Sequence, residues 1–197
     1  MSELQKLHPE LIVVAGCMFA GKSDELIRRI RRYMSVGRCV QVFKPALDNR
    51  YSSVDVVAHN GLSLNAIPIE RADEILHDLH ADTEVVAIDE VQFLNHNIVD
   101  ICEELLTRDI VVLAAGLPLD FRGEGFGCMP MLMAKAEAII QVNAYCTVCG
   151  LTACRTQRIV NGKPASWNDP ILLVGAQEAY EARCRKHHEV PGKPRFL

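Results

Sequence analysis

The stretch Gly16-Cys17-Met18-Phe19-Ala20-Gly21-Lys22-Ser23 constrains this chain more than any other. It fits the pattern G-x-x-x-x-G-K-[ST] without a mismatch, and its surroundings are those the pattern requires. Before it stands LIVVA, residues 11–15, short, apolar and β-branched, which reads as a buried strand. After it, residues 24–34 carry Leu26, Ile27 and Ile30 at helical spacing among charges. A glycine-rich turn between strand and helix lets the backbone wrap closely around a phosphate, with successive N–H groups pointing inward. The positive end of the following helix adds to that field. In such a loop Lys22 reaches the β- and γ-phosphates and the Ser23 hydroxyl binds Mg²⁺.

The remainder of the first 143 residues repeats the alternation. CVQVF at 39–43, VVAI at 85–88 and IVVLAA at 110–115 read as buried strands, and residues 71–80 and 99–107 as amphipathic helices. Continuous apolar strands separated by helices predict a parallel sheet covered on both faces. The expected fold is therefore α/β, a P-loop NTPase-like parallel sheet flanked by helices. Ligands in such sheets sit at the carboxyl ends of the strands. Asp89 and Glu90 stand at one such end, after VVAI. If that strand neighbours the phosphate-loop strand, Asp89 lies close enough to hold Mg²⁺, and Glu90 can accept a proton from an attacking hydroxyl.

From residue 144 onward the texture changes, so 1–143 reads as the nucleotide-binding domain and 144–197 as a small second lobe. That lobe is too short to bury a core without a staple. The staple is legible in the cysteines. Of eight in the chain, Cys17, Cys39, Cys102 and Cys128 fall in apolar segments and read as small core residues. Cys146-x-x-Cys149 and Cys184-x-x-His187 have the pairwise spacing of a closed, structural Zn²⁺ site. His188 rivals His187 as the fourth ligand, and the two-residue spacer favours His187. Cys154 falls outside the pattern.

Composition narrows the field of functions. The chain has 197 residues, 49% apolar and 23% charged, which suits a folded domain plus a small appendage. With 21 basic against 25 acidic residues its net charge is −4, so no nucleic-acid partner is expected from overall charge. The run Arg28, Arg29, Arg31, Arg32 reads as a solvated helix face or a subunit contact. His77 and His80 read as surface histidines, and Met129, Met131 and Met133 as gap-filling core. The glycines of FRGEGFG, Gly123, Gly125 and Gly127, read as a mobile loop. No apolar run approaches a membrane span and the first residues do not look like a secretion signal, so no membrane partner and a cytoplasmic location are expected.

These segments occur in one order: MFAGKS, FKPALDNRYS, AIDEVQF, GLPLDFRGEGFG, CTVCG, RTQR and PILLVGAQEAYEARCRKHH. That order resembles the thymidine kinase family of the tetrameric, zinc-containing kind, from about residue 11 to about residue 191. The resemblance implies transfer of the ATP γ-phosphoryl group to the 5′-hydroxyl of thymidine, giving dTMP. It places ATP on residues 16–23, on Asp48, Asn49 and Arg50, and on Asp89, Glu90, Val91 and Gln92. Glu90 looks like the family's general base. Ser23 and Asp89 would serve Mg²⁺. Met18, Phe93, Leu117 and Phe121 resemble the apolar residues around base and sugar. Ile171, Leu172, Leu173, Val174 and Gly175 resemble a lasso-like loop that folds over the nucleoside, with Tyr180 closing the pocket. The zinc staple would hold that loop, so metal loss is expected to weaken thymidine before ATP. Feedback inhibition by dTTP and a homotetramer are implied by the same resemblance. The sequence departs from the family's pattern at His187, where many relatives carry Cys, at Pro118 and at Asn60. The competing readings are a P-loop kinase for another small alcohol and a nucleic-acid-stimulated P-loop ATPase with a zinc ribbon.

Overall fold

The computed structural model describes residues 7–46, 55–57, 63–171 and 178–194. In chain order its elements are β1 (Leu11–Ala15), α1 (Lys22–Ser35), β2 (Val40–Pro45), β3 (Asp55–Val57), β4 (Ser63–Asn65), β5 (Ile67–Ile69), α2 (Glu74–His77), β6 (Val85–Ile88), a 3-10 turn (Val91–Phe93), α3 (Ile98–Thr107), β7 (Val111–Gly116), α4 (Met129–Lys135), β8 (Ala138–Gln141), β9 (Ala144–Tyr145), β10 (Thr152–Ala153), β11 (Arg155–Val160), β12 (Lys163–Pro164) and β13 (Glu178–Arg183). Six strands pair in the order β5-β2-β6-β7-β1-β8, and every pairing is parallel.

The period-2 geometry of the strands splits the core into two layers. Leu11, Val13 and Ala15 face α2, α3 and α4, together with Val86, Ile88, Val112 and Ala114. Ile12 and Val14 face the opposite side, where Val85, Ala87, Val111, Leu113 and Ala115 pack under Leu26, Ile27 and Ile30 of α1. Helices on both faces are what continuous apolar strands require. The outer face of α1 carries the arginine run, and Glu25 pairs with Arg28 and Arg29 there.

Four expectations need correction. The predicted helix at 71–80 shrinks to the single turn of α2. Buried Gln41 is the cause. Its amide donates to the Asp78 carbonyl at 3.0 Å and accepts from the His80 N–H at 2.7 Å, drawing the chain out of helical register. Cys39 is exposed and not a core residue, whereas Cys17, Cys102 and Cys128 are buried. Met129 is buried, but Met131 points outward, because i and i+2 lie on different sides of a helix. The glycine loop is not loose. Buried Asp120 accepts from the Arg122 and Glu124 N–H groups and pairs with the Arg122 side chain at 3.1 Å.

The β5, α4 and β8 elements were not anticipated. β8 forms the edge beside β1, its residues alternating between half-buried and exposed.

Gln41→Ala should cost about 1–3 kcal/mol, because it strands buried partners without acceptors or donors. Thermal or urea unfolding of the variant measures this directly.

Candidate functional site

The phosphate loop is built where β1 ends. Gly21 has φ of 81°, and Phe19 takes a positive φ of 65°. A Cβ on Gly16 would lie 2.5 Å from the Val142 carbonyl, so glycine is demanded there by the end of the β8 strand running alongside. The Lys22 ammonium is buried and donates to the Cys17 carbonyl at 3.2 Å. It is thereby folded back over its own loop.

β6 is not the neighbour of β1, since β7 lies between them. Proximity of Asp89 to the loop nevertheless holds. The Ser23 hydroxyl, at the start of α1, donates to Asp89 Oδ2 at 3.0 Å. A parallel sheet brings all its carboxyl ends to one side, and α1 reaches across the intervening strand. The Asp89 carboxyl is pushed up to about 6, by burial first and then by the Glu90 charge beside it. The Ser23 hydroxyl and Lys22 pull it the other way. A buried carboxylate beside a serine hydroxyl at the mouth of a phosphate loop is a hard oxygen pair of the kind Mg²⁺ prefers.

Glu90 follows with a left-handed backbone, φ 50° and ψ 37°. That conformation is uncommon for a residue with a Cβ. Its carboxylate accepts from Gln92 Nε2 at 2.5 Å. Val91 is sealed in the core, and Gln92 is buried with both ends of its amide used inside the protein. Any contact of these two with ATP falls to their main chain.

The residues expected around base and sugar each have a different partner. The Leu117 N–H donates to Gln92 at 3.1 Å. Phe93 meets Phe126 edge-on at 5.3 Å. The Arg158 guanidinium lies 4.5 Å above the ring of buried Phe121. Arg158 is itself fully buried, faces Tyr180 across the β11–β13 ladder, and donates to the Pro170 and Ile171 carbonyls at 2.7 and 3.2 Å. The Met18 N–H donates to Thr156 Oγ1 at 3.1 Å. Asp48, Asn49, Arg50, Asn60, Leu172, Leu173, Val174 and Gly175 lie outside the described residues. Arg158 and Thr156 escaped the sequence reading, although both stand in the RTQR string that helped mark the resemblance.

The metal cluster is assembled. Ligand atoms of Cys146, Cys149, Cys184 and His187 all lie within 4.8 Å of one another. The Cys149 and Cys184 sulfurs are 3.8 Å apart, and His187 Nδ1 is 3.3 and 3.8 Å from the Cys184 and Cys146 sulfurs. Tetrahedral Zn²⁺ with ordinary bond lengths separates its ligand atoms by roughly 3.5–3.8 Å. The donor set and its spacing therefore fit structural zinc. His188 stands outside this cluster, its Nε2 lying 2.9 Å from the Phe121 carbonyl.

This lobe also packs on the phosphate loop. Cys17 shares a small core with Ala144, Cys146, Ala153 and Ala182, and its thiol donates to the Ala153 carbonyl at 3.4 Å. Cys146 of the cluster thus packs in the same small core as Cys17 of the phosphate loop.

A glycine-rich loop on a six-stranded parallel sheet, with a buried aspartate on its serine and a second carboxylate alongside, is a nucleotide-binding arrangement of the P-loop class. The thymidine kinase family model matches residues 9–188, and the chain belongs to that family. It is an ATP-dependent nucleoside kinase, a transferase acting on thymidine and ATP. Among the described residues no helix is long and apolar enough to cross a membrane.

Two results are expected here. In metal-free protein Asp89→Asn should raise stability at pH 7 by about 1–3 kcal/mol while abolishing activity. The sign follows from a folded pKa above the unfolded one. The penalty is absent below about pH 4, grows as pH rises to about 6 and is constant above. Equal melting temperatures at pH 7 would refute it. Cys149→Ser should lower bound zinc and weaken ATP along with thymidine, because Cys17 rests on the same lobe. Calorimetric titration with each ligand checks this, and loss confined to thymidine would restore the simpler expectation.

Proposed function

We propose that this kinase transfers the γ-phosphoryl group of ATP to the 5′-hydroxyl of thymidine, yielding dTMP and ADP for nucleotide salvage and DNA precursor synthesis. The reading is supported by one observation: the Ser23 hydroxyl on Asp89 Oδ2, with the Glu90 carboxylate next in the chain and held by the Gln92 amide.

The chemistry follows from position and charge. Residues 16–23, with the 48–50 segment, hold the triphosphate, and Lys22 neutralises its terminal oxygens. Ser23 and Asp89 would hold Mg²⁺, which supplies charge neutralisation on the phosphates. Glu90 accepts the 5′-hydroxyl proton as that oxygen bonds to the γ-phosphorus and the bond to the bridging oxygen of ADP breaks. Met18, Phe93, Leu117, Phe121 and Tyr180 enclose base and sugar, and residues 171–175 bind the pyrimidine edge by main-chain groups. In this reading 1–143 is the cradle and 144–197 the lobe that carries the nucleoside loop. A homotetramer, feedback inhibition by dTTP and a cytoplasmic location belong to the same proposal. Family membership favours it over the nucleic-acid-stimulated ATPase.

Product analysis with Mg-ATP and a nucleoside panel tests the reading. 5′-dTMP is expected as the main product, and ATP hydrolysis without a nucleoside acceptor would contradict it. Glu90→Gln should keep ATP affinity and lower turnover by roughly 10²- to 10⁴-fold.

A further inference from the structure

Gln92 is 3% exposed, yet its side chain is polar and sits among apolar neighbours. Such a group is retained in a core only when both ends of its amide are satisfied. Here they are satisfied by two groups of functional interest. Gln92 Oε1 accepts from the Leu117 N–H at 3.1 Å, and Nε2 donates to Glu90 Oε2 at 2.5 Å. A backbone N–H can only donate, so the amide oxygen must face Leu117 and the NH₂ must face Glu90. The direction of the bridge is fixed by chemistry.

The surroundings hold that bridge in place. A Cβ on Gly116 would lie 2.4 Å from Gln92 Oε1, and a Cβ on Gly127 would lie 2.4 Å from the Gln92 carbonyl. Both glycines leave room for Gln92 where any side chain would push it. The neighbouring Val91 carbonyl accepts from the Cys128 thiol at 3.2 Å. The turn bearing Gln92 is therefore clamped from the end of β7 and from the start of α4.

We infer that Gln92 is a positioning residue for phosphoryl transfer, holding the Glu90 carboxylate at a fixed offset from Leu117 and so from the sugar. A glutamate has three rotatable bonds, and a base that must meet one hydroxyl loses rate when it samples other rotamers. Gln92 removes those rotamers without touching either substrate. Leu117, whose N–H anchors the other end, borders the proposed nucleoside seat. The inference rests on Glu90 being the base.

The test is a double-mutant cycle in single-turnover assays with ATP and thymidine. Gln92→Met fills similar volume and removes both hydrogen bonds. Turnover should fall roughly ten- to hundredfold. The KM values should stay within about twofold, since neither substrate loses a contact. In the Glu90→Gln background the same change should cost less than about twofold more, because the group it positions has gone. Gly116→Ala keeps the amide but displaces it, and should give the same signature should Gln92→Met fold poorly. Three results would overturn the inference: normal turnover in Gln92→Met, an equal fall in both backgrounds, or a loss confined to KM. Normal turnover in Glu90→Gln would instead remove the base reading, and this inference with it.

Discussion

The arrangement depends on a carboxylate kept out of water beside a hydroxyl. Asp89 ends a central strand with almost no exposed surface, and the Ser23 hydroxyl reaches it from a helix two strands away. Burying a carboxylate costs free energy unless a cation or donors answer it. Here the Ser23 hydroxyl and the Glu90 N–H answer it, at 3.0 Å each. The parallel sheet makes the meeting possible by delivering β1 and β6 to one side of the molecule.

Much of this was legible because it is local. The phosphate loop is read from consecutive residues, and its strand and helix announce themselves by β-branching and by period. Asp89 and Glu90 are found by counting to the end of an apolar run. The ligand pairs Cys146/Cys149 and Cys184/His187 are fixed by a spacer that suits one metal. What could not be read depends on residues distant in sequence. The insertion of β7 between β1 and β6 leaves no local trace. Gln41 ends a helix that the periodicity of residues 71–80 would continue. Gln92 takes its meaning from Gly116 and Leu117, which only the sheet brings beside it. The spacer favours His187 over His188, and the fold agrees by setting His187 Nδ1 against the cysteine sulfurs and His188 against the Phe121 carbonyl.

The C-terminal lobe is more than a clamp on a loop. Its small alanine-rich core encloses the Cys17 side chain, and Thr156 takes the Met18 N–H. Arg158 joins the Phe121 ring to the carbonyls of Pro170 and Ile171. The glycine-rich loop and the Cys/His cluster therefore share one small core through Cys17 and Cys146.

We propose that Glu90, the carboxylate next to Asp89, takes the proton of the attacking hydroxyl. A crystal structure with thymidine and a non-hydrolysable ATP analogue measures it directly. The account predicts the Glu90 carboxylate within about 3.2 Å of the 5′-hydroxyl oxygen, on the side away from Asp89. A closed complex with both ligands seated and Glu90 turned from the sugar would contradict it.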